Sequence, residues 1–312
     1  FSSTVAATST IHGGNAASED SLMELTGTHT GAIVLTQAGD GDAGLKTSGS
    51  TALSITGAIT VTTDGDGVIT AANTNRTTFA AIGATAKKAL SVTVSSGADA
   101  LFGGAVETNT LTITGDAIVQ ASDNGSEVIA MGASSTLIID DTVTNGDDVF
   151  NGVATTRPTL TSGAKIYLPG NLKTTQTLNL FEDASNAGLS DNATTITETT
   201  AALQDNALFD YTAAASTTGN GFTVVTATYK SDATAASELG ITNNKAVALK
   251  QALLSAIDDT NADATLEDQF TNALNGIAGQ SATADTGLAN QVGVQTDGIA
   301  GSTSATRAMT GT

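Results

Sequence analysis

One phrase returns along this chain from about residue 30 to residue 182: a short alternating apolar run, a Gly/Asp/Asn turn, then a second apolar pair. Leu53-Ser-Ile55-Thr-Gly57-Ala-Ile59-Thr-Val61 alternates with a period of two, as do Leu90-Ser-Val92-Thr-Val94, Leu111-Thr-Ile113-Thr-Gly115 and Thr136-Leu-Ile-Ile139. Leu160, Lys165-Ile-Tyr-Leu168 and Leu178-Asn-Leu180 continue the series. The first Leu of successive runs falls at 53, 90, 111, 137 and 160, in steps of 37, 21, 26 and 23, the first of which reads as two coils of about 18–19. Thr63-Asp-Gly-Asp-Gly67, Ser122-Asp-Asn-Gly-Ser126 and Thr144-Asn-Gly-Asp-Asp148 supply the turns, and each leads into a second apolar stretch.

A unit of roughly 20 residues is too thin to bury its own apolar face, so units of this kind stack and share a narrow core. The expected fold is therefore mainly β, a right-handed parallel β-helix (solenoid) of about ten coils over residues 30–230, followed by a C-terminal α-helical segment. Only 4% of residues are aromatic and only 2 are Pro, which suits a narrow interior and an unbroken backbone ladder. A β-sandwich would share the alternation but call for hairpin turns and a larger aromatic core.

Composition narrows the function. The formal charge is −20, yet charged residues make up only 13% of the chain, and the one adjacent basic pair is Lys87-Lys88. Phosphate binding needs clusters of Lys and Arg, so nucleic acid is not an expected partner. No apolar run reaches the length that crosses a bilayer as a helix, so membrane insertion is not expected. Cysteine is absent, which removes disulfides and thiolate chemistry. Low charge density and the lack of cysteine favour an exported surface protein. Of the acids, 23 are Asp and 8 are Glu, and Asp belongs at turns because its short carboxylate bonds nearby backbone N–H groups. The turn pairs Asp40/Asp42, Asp64/Asp66 and Asp147/Asp148 are candidate Ca²⁺ ligands, since stacked coils would bring their oxygens together. Otherwise they are solvated turns.

The text changes after residue 183. Strands are expected at Ala193–Thr199, Asn206–Tyr211 and Phe222–Tyr229. Thr242 then caps a helix with Ala246, Leu249, Leu253 and Ile257 on one face, and Leu266, Phe270, Leu274 and Ile277 recur at the same spacing. The organisation reads as an N-terminal segment or cap (1–30), a solenoid (31–230), a helical hairpin (231–279) and a small-residue tail (280–312).

The stretch Val224-Val-Thr-Ala-Thr-Tyr-Lys230, followed by Ala236-Ser-Glu-Leu-Gly-Ile-Thr-Asn-Asn-Lys-Ala246, Ala264-Thr-Leu-Glu-Asp-Gln-Phe270 and Asn272-Ala-Leu-Asn275, resembles the end of an autotransporter passenger. It is most similar to the surface-layer-type passengers of the rickettsial outer-membrane protein B family, as are the Leu-Thr-Ile-Thr-Gly115 phrases. The resemblance implies a β-helical domain outside the outer membrane of a Gram-negative cell. Its implied partners are copies of itself, the outer-membrane surface and the barrel domain that such passengers carry.

Motifs for other chemistry fail on their surroundings. Gly39-Asp-Gly41-Asp-Ala-Gly44 spells a dinucleotide fingerprint, but no helical period follows and Asp40 and Asp42 would repel phosphate. Asp259, Asn261, Asp263, Thr265 and Glu267 have the spacing of an EF-hand loop, but Ala264 stands where Gly is needed and Phe270 where a bidentate Glu is needed. His12 and His29 lie in no metal or nucleophile motif and read as loop or cap residues. The expectation is a non-enzymatic structural protein that self-assembles into a layer or fibre, with Ca²⁺ as its one candidate cofactor. The alternatives are an adhesin, with Asn73–Phe79 including Arg76 as its contact segment, and a polysaccharide-active β-helix enzyme.

Overall fold

The computed structural model describes residues 4, 6–16, 20–37, 39, 41–153, 158–169, 172, 176–183, 192–205, 209–215, 223–231 and 234. Two compact units divide the chain: residues 1–204 with 211–227, and residues 205–210 with 228–312. The first is a parallel β-solenoid. Seven strands form its long sheet, in the order Ser21–Leu25, Ala43–Thr47, Asp66–Ala71, Ala89–Val94, Thr108–Ile113, Ser126–Met131 and Thr159–Leu160. Six more form a second sheet: Leu53–Ile55, Arg76–Phe79, Asp99–Phe102, Asp116–Val119, Thr136–Ile139 and Lys165–Tyr167. Ser9–Gly13, Ile33–Gln37 and Ile59–Val61 make a short third sheet, continued by single bridges from Ile59 through Ile82 to Val106, with a separate bridge between Asn124 and Phe150. Among the described residues the first strand of the stack is Ser9–Gly13.

Register explains why the sequence steps did not give the coil length. Along one inward column of the long sheet, Leu45, Ile69, Val92, Leu111 and Ile129 pair in turn, at separations of 24, 23, 19 and 18 residues. Leu53 and Leu137 belong to the second sheet, however, while Leu90, Leu111 and Leu160 belong to the long one. The steps of 37, 26 and 23 therefore compared different faces, whereas the in-register separations along that column stay between 18 and 24.

Alternation sets the core. Inward columns include Leu53–Thr77–Ala100–Ala117–Leu137–Ile166 and Ile55–Phe79–Phe102–Val119–Ile139, and all of these residues are buried. Each fully buried Leu or Ile contributes roughly 1.5–3 kcal/mol. The Phe79 and Phe102 rings stack at 5.5 Å, and the Phe150 and Phe181 rings at 5.9 Å. The two inward hydroxyls at Thr77 and Thr47 meet each other at 3.4 Å.

The stretch expected as a strand at Ala193–Thr199 is instead a helix, Asn192–Ala202. Its threonines favour strands in isolation, but Thr195, Thr199 and Ala202 recur at helical spacing and are buried, and packing overrides that preference. The helix closes the last rungs. The Leu160 N–H reaches Glu198 Oε2 at 3.5 Å, and the Ile166 carbonyl accepts the Gln204 N–H at 2.9 Å. A four-stranded sheet follows from Asp148–Val153, Thr177–Asp183, Thr223–Tyr229 and Phe209–Ala215; its first pair is parallel, while Thr177–Asp183 and Thr223–Tyr229 run antiparallel. In the second unit the buried Lys230 ammonium lies 3.5 Å from Asp210. The expected helical hairpin and tail lie outside the described residues. Among the described residues no helix is long and apolar enough to cross a membrane.

Candidate functional site

Asp64 Oδ1 accepts the Lys88 N–H at 2.8 Å, tying its turn to the next rung. Asp66 begins a strand, and its Oδ2 is buried without a hydrogen-bond partner. Asp147 Oδ2 closes its own turn by accepting the Thr144 N–H at 2.7 Å and hydroxyl at 3.1 Å. Asp148 Oδ1 accepts from Asn179 at 2.7 Å. Asp42 offers its backbone N–H to Asp20 at 2.9 Å, and Asp40 lies outside the described residues. Among the described residues, no three His, Asp or Glu side chains gather in a group that could hold a metal ion.

The described parts of the other phrases take up places in the rungs. The Gly39–Gly44 phrase leads into strand Ala43–Thr47, not a helix, and a Cβ at Gly39 would strike the Asn15 backbone. His12 is exposed on the first strand. His29, read as a loop or cap residue, is fully buried: its Nδ1 donates to the Gly31 carbonyl at 2.8 Å, which leaves Nε2 to accept from Ser9 Oγ at 2.9 Å. Within the Asn73–Phe79 segment, Asn73 and Phe79 are fully buried and Arg76 is paired with Asp99 at 3.1 Å. The EF-hand-like loop at 259–270 lies outside the described residues.

Two arrangements emerge that need register to be seen. The first is a face. Across four rungs of the long sheet the outward side chains are Val68 and Thr70, Ser91 and Thr93, Thr110 and Thr112, and Val128 and Ala130. None carries a charge, on a chain whose formal charge is −20. The flanking column of Ala72, Ser95, Thr114 and Gly132 is uncharged as well.

The second is a column of charge at the corner that leads into the same sheet. Ala89, Thr108 and Ser126 pair in register, so the residues before them, Lys88, Glu107 and Gly125, stand on successive rungs. Glu107 is 7% exposed. Its Oε1 accepts weakly from Thr85 at 3.4 Å, and its Oε2 is buried with no partner. Burial pushes its carboxyl above the ordinary glutamate range, against the opposing pull of the Lys88 ammonium and the Thr85 hydroxyl, with a smaller push from Asp123. Lys88 itself bonds Glu127 at 3.2 Å. Single-sequence reading misses this column because Lys88, Glu107 and Glu127 sit in three different phrases.

Comparison with protein-family models, with curated proteins and with solved structures gives no match. What the chain shares with β-helical passengers is the solenoid fold.

Proposed function

We propose that this chain is a non-enzymatic structural protein of the cell exterior, of the surface-layer type its C-terminal third resembles, and that it self-assembles into a layer or fibre. The observation that carries this reading is the uncharged four-rung patch of the long sheet, whose outward column continues on the two rungs below it into the paired Lys46 and Glu24. Copies of a strongly acidic protein repel one another, and the repulsion is least where neither surface carries charge. Short Ser, Thr, Val and Ala side chains in straight columns allow two such faces to approach closely without deep pockets. The helix Asn192–Ala202 covers one end of the stack, which favours lateral packing over addition of rungs at that end.

Ca²⁺ has a place in this reading as a bridge between copies. Asp64, Asp147 and Asp148 each commit one carboxylate oxygen to a neighbouring N–H and keep the other for a ligand outside the rung. Carboxylates contributed by two copies would complete a coordination set that the described residues of one copy do not gather.

The test is to place charge on the face. The double substitution Thr93→Glu with Thr112→Glu should lower the sedimentable assembled fraction at least roughly tenfold, a loss of about 1.4 kcal/mol. Ser96→Glu, at an exposed turn, should leave it unchanged. Assembly that is equal in all three proteins would refute lateral packing through this face.

A further inference from the structure

Glu107 is buried with an unpartnered carboxylate oxygen while a cation, Lys88, stands on the adjoining rung. Its backbone is committed: the N–H goes to the Ile82 carbonyl at 2.8 Å and the carbonyl accepts the Ala89 N–H at 3.0 Å. The side chain therefore cannot be released by a shift of its own rung. It reaches the rung above and lies against Gly125, where a Cβ would collide with Oε2. Lys88, on the rung below, bypasses it and bonds Glu127 on the rung above; the Lys88 side chain is 15% exposed and that of Glu127 is 44% exposed. The charged groups facing Glu107 are thus Lys88 from below and Asp123 and Glu127 on either side of Gly125, with exposed Lys87 next along the lower turn.

From this geometry we propose that Glu107, Lys88 and Glu127 form a pH-responsive clamp across three successive rungs, closed when the Glu107 carboxyl carries its proton and loosened when it is ionised. A protonated Glu107 leaves Lys88 to Glu127, so the ion pair ties the lower turn to the upper one over a neutral side chain. Loss of the proton to solvent places a bare charge beside Asp123, and the two carboxylates then compete for one ammonium. The corner is suited to respond because the third face is thin there: Ile82, Val106 and Asn124 are held by single bridges rather than by continuous strands.

The sign follows from the direction of the shift. A carboxyl held above its unfolded value supports folding fully below that value, and the support is lost as pH rises through the elevated one. Thermal unfolding of the full chain, its Glu107→Gln and Glu127→Gln variants and the double variant, from about pH 4 to about pH 8, tests the clamp. Wild type and Glu107→Gln should share a midpoint at the acid end. At the alkaline end Glu107→Gln should be higher by roughly 2–4 °C. Judged against the double variant, Glu127→Gln should show a smaller pH-dependent loss than wild type, because Lys88 is then free to pair with Glu107. Parallel wild-type and Glu107→Gln curves would overturn the proposal, as would an undiminished loss in Glu127→Gln. The ¹³C carboxyl resonance of Glu107 in the wild-type protein gives a check without substitution: titration above the ordinary glutamate value supports the clamp, and titration at or below it contradicts it.

Discussion

The side chain of Asn124 takes the place of a backbone carbonyl for Val106. In the three rungs before it, the N–H groups of Ile33, Ile59 and Ile82 donate to the carbonyls of Ala58, Ala81 and Ala105, each at 3.0 Å. At Val106 the acceptor becomes Asn124 Oδ1, at 2.8 Å, while Asn124 Nδ2 donates to the carbonyls of Ala121 at 2.7 Å and Val149 at 2.8 Å. Asp123 just before it is in the left-handed region, at a φ of 56°. A fully buried amide thus carries the ladder across the place where the rungs shorten.

Asn124→Ala should therefore cost on the order of 3 kcal/mol, because it orphans the buried Val106 N–H and the Ala121 carbonyl and takes one of two donors from the Val149 carbonyl, which keeps the residue 124 backbone N–H. Asn124→Asp keeps the acceptor, loses both donations and adds a buried charge, and should be at least as damaging. Chemical denaturation of the two variants checks this. A loss below that of an ordinary surface substitution would show that the amide is not holding the rungs together.

Glycine positions divide by what a Cβ would meet. At Gly57 it would collide with the Gly31 backbone of the rung below, which cannot move without opening the stack. At Gly97 the φ is +76° but nothing lies within 4 Å, so an alanine there meets only backbone strain of about 1–2 kcal/mol. Gly57→Ala should thus destabilise the protein markedly more than Gly97→Ala. The ranking is read from thermal midpoints.

Phe79 and Phe102 stack on adjacent rungs of an inward column whose other members are Ile55, Val119 and Ile139. Phe102→Ala should cost about 3–5 kcal/mol, and Phe102→Leu considerably less. Equal losses in a denaturation series would mean that the cavity is not what matters at this position.

Asp140 gives the acid-range counterpart of Glu107. Burial pushes its carboxyl up, but the Thr142 N–H at 3.2 Å, Gln120 at 3.3 Å, the Asp141 side chain and the Thr142 hydroxyl at 3.0 Å together hold it below the ordinary aspartate value. A depressed carboxyl supports folding above its unfolded value, and the support is lost as pH falls through the lowered one. Asp140→Asn should cost about 1 kcal/mol at neutral pH, with the deficit vanishing in strong acid. A deficit that does not change with pH would contradict this.

The parts of this structure that local chemistry dictates were readable from the sequence. Period-two runs gave strands. Gly65, Gly67 and Gly146, inside the turn phrases, adopt the left-handed backbone those turns need. Coil length was not readable, because similar runs such as Leu53 and Leu90 lie on different faces. The helix at Asn192–Ala202 was hidden for another reason: its Thr-rich text prefers strands until burial of Thr195 and Thr199 reverses the preference. The uncharged face and the Lys88–Glu107–Glu127 column depend on rung separations that vary from 24 to 18 residues, which no fixed repeat supplies.

The central claim is self-assembly, and negative-stain imaging of the purified chain tests it most directly, once in millimolar Ca²⁺ and once in chelator. Regular sheets or filaments, lost or thinned when calcium is removed, are the predicted result. Monodisperse short particles under both conditions would contradict it.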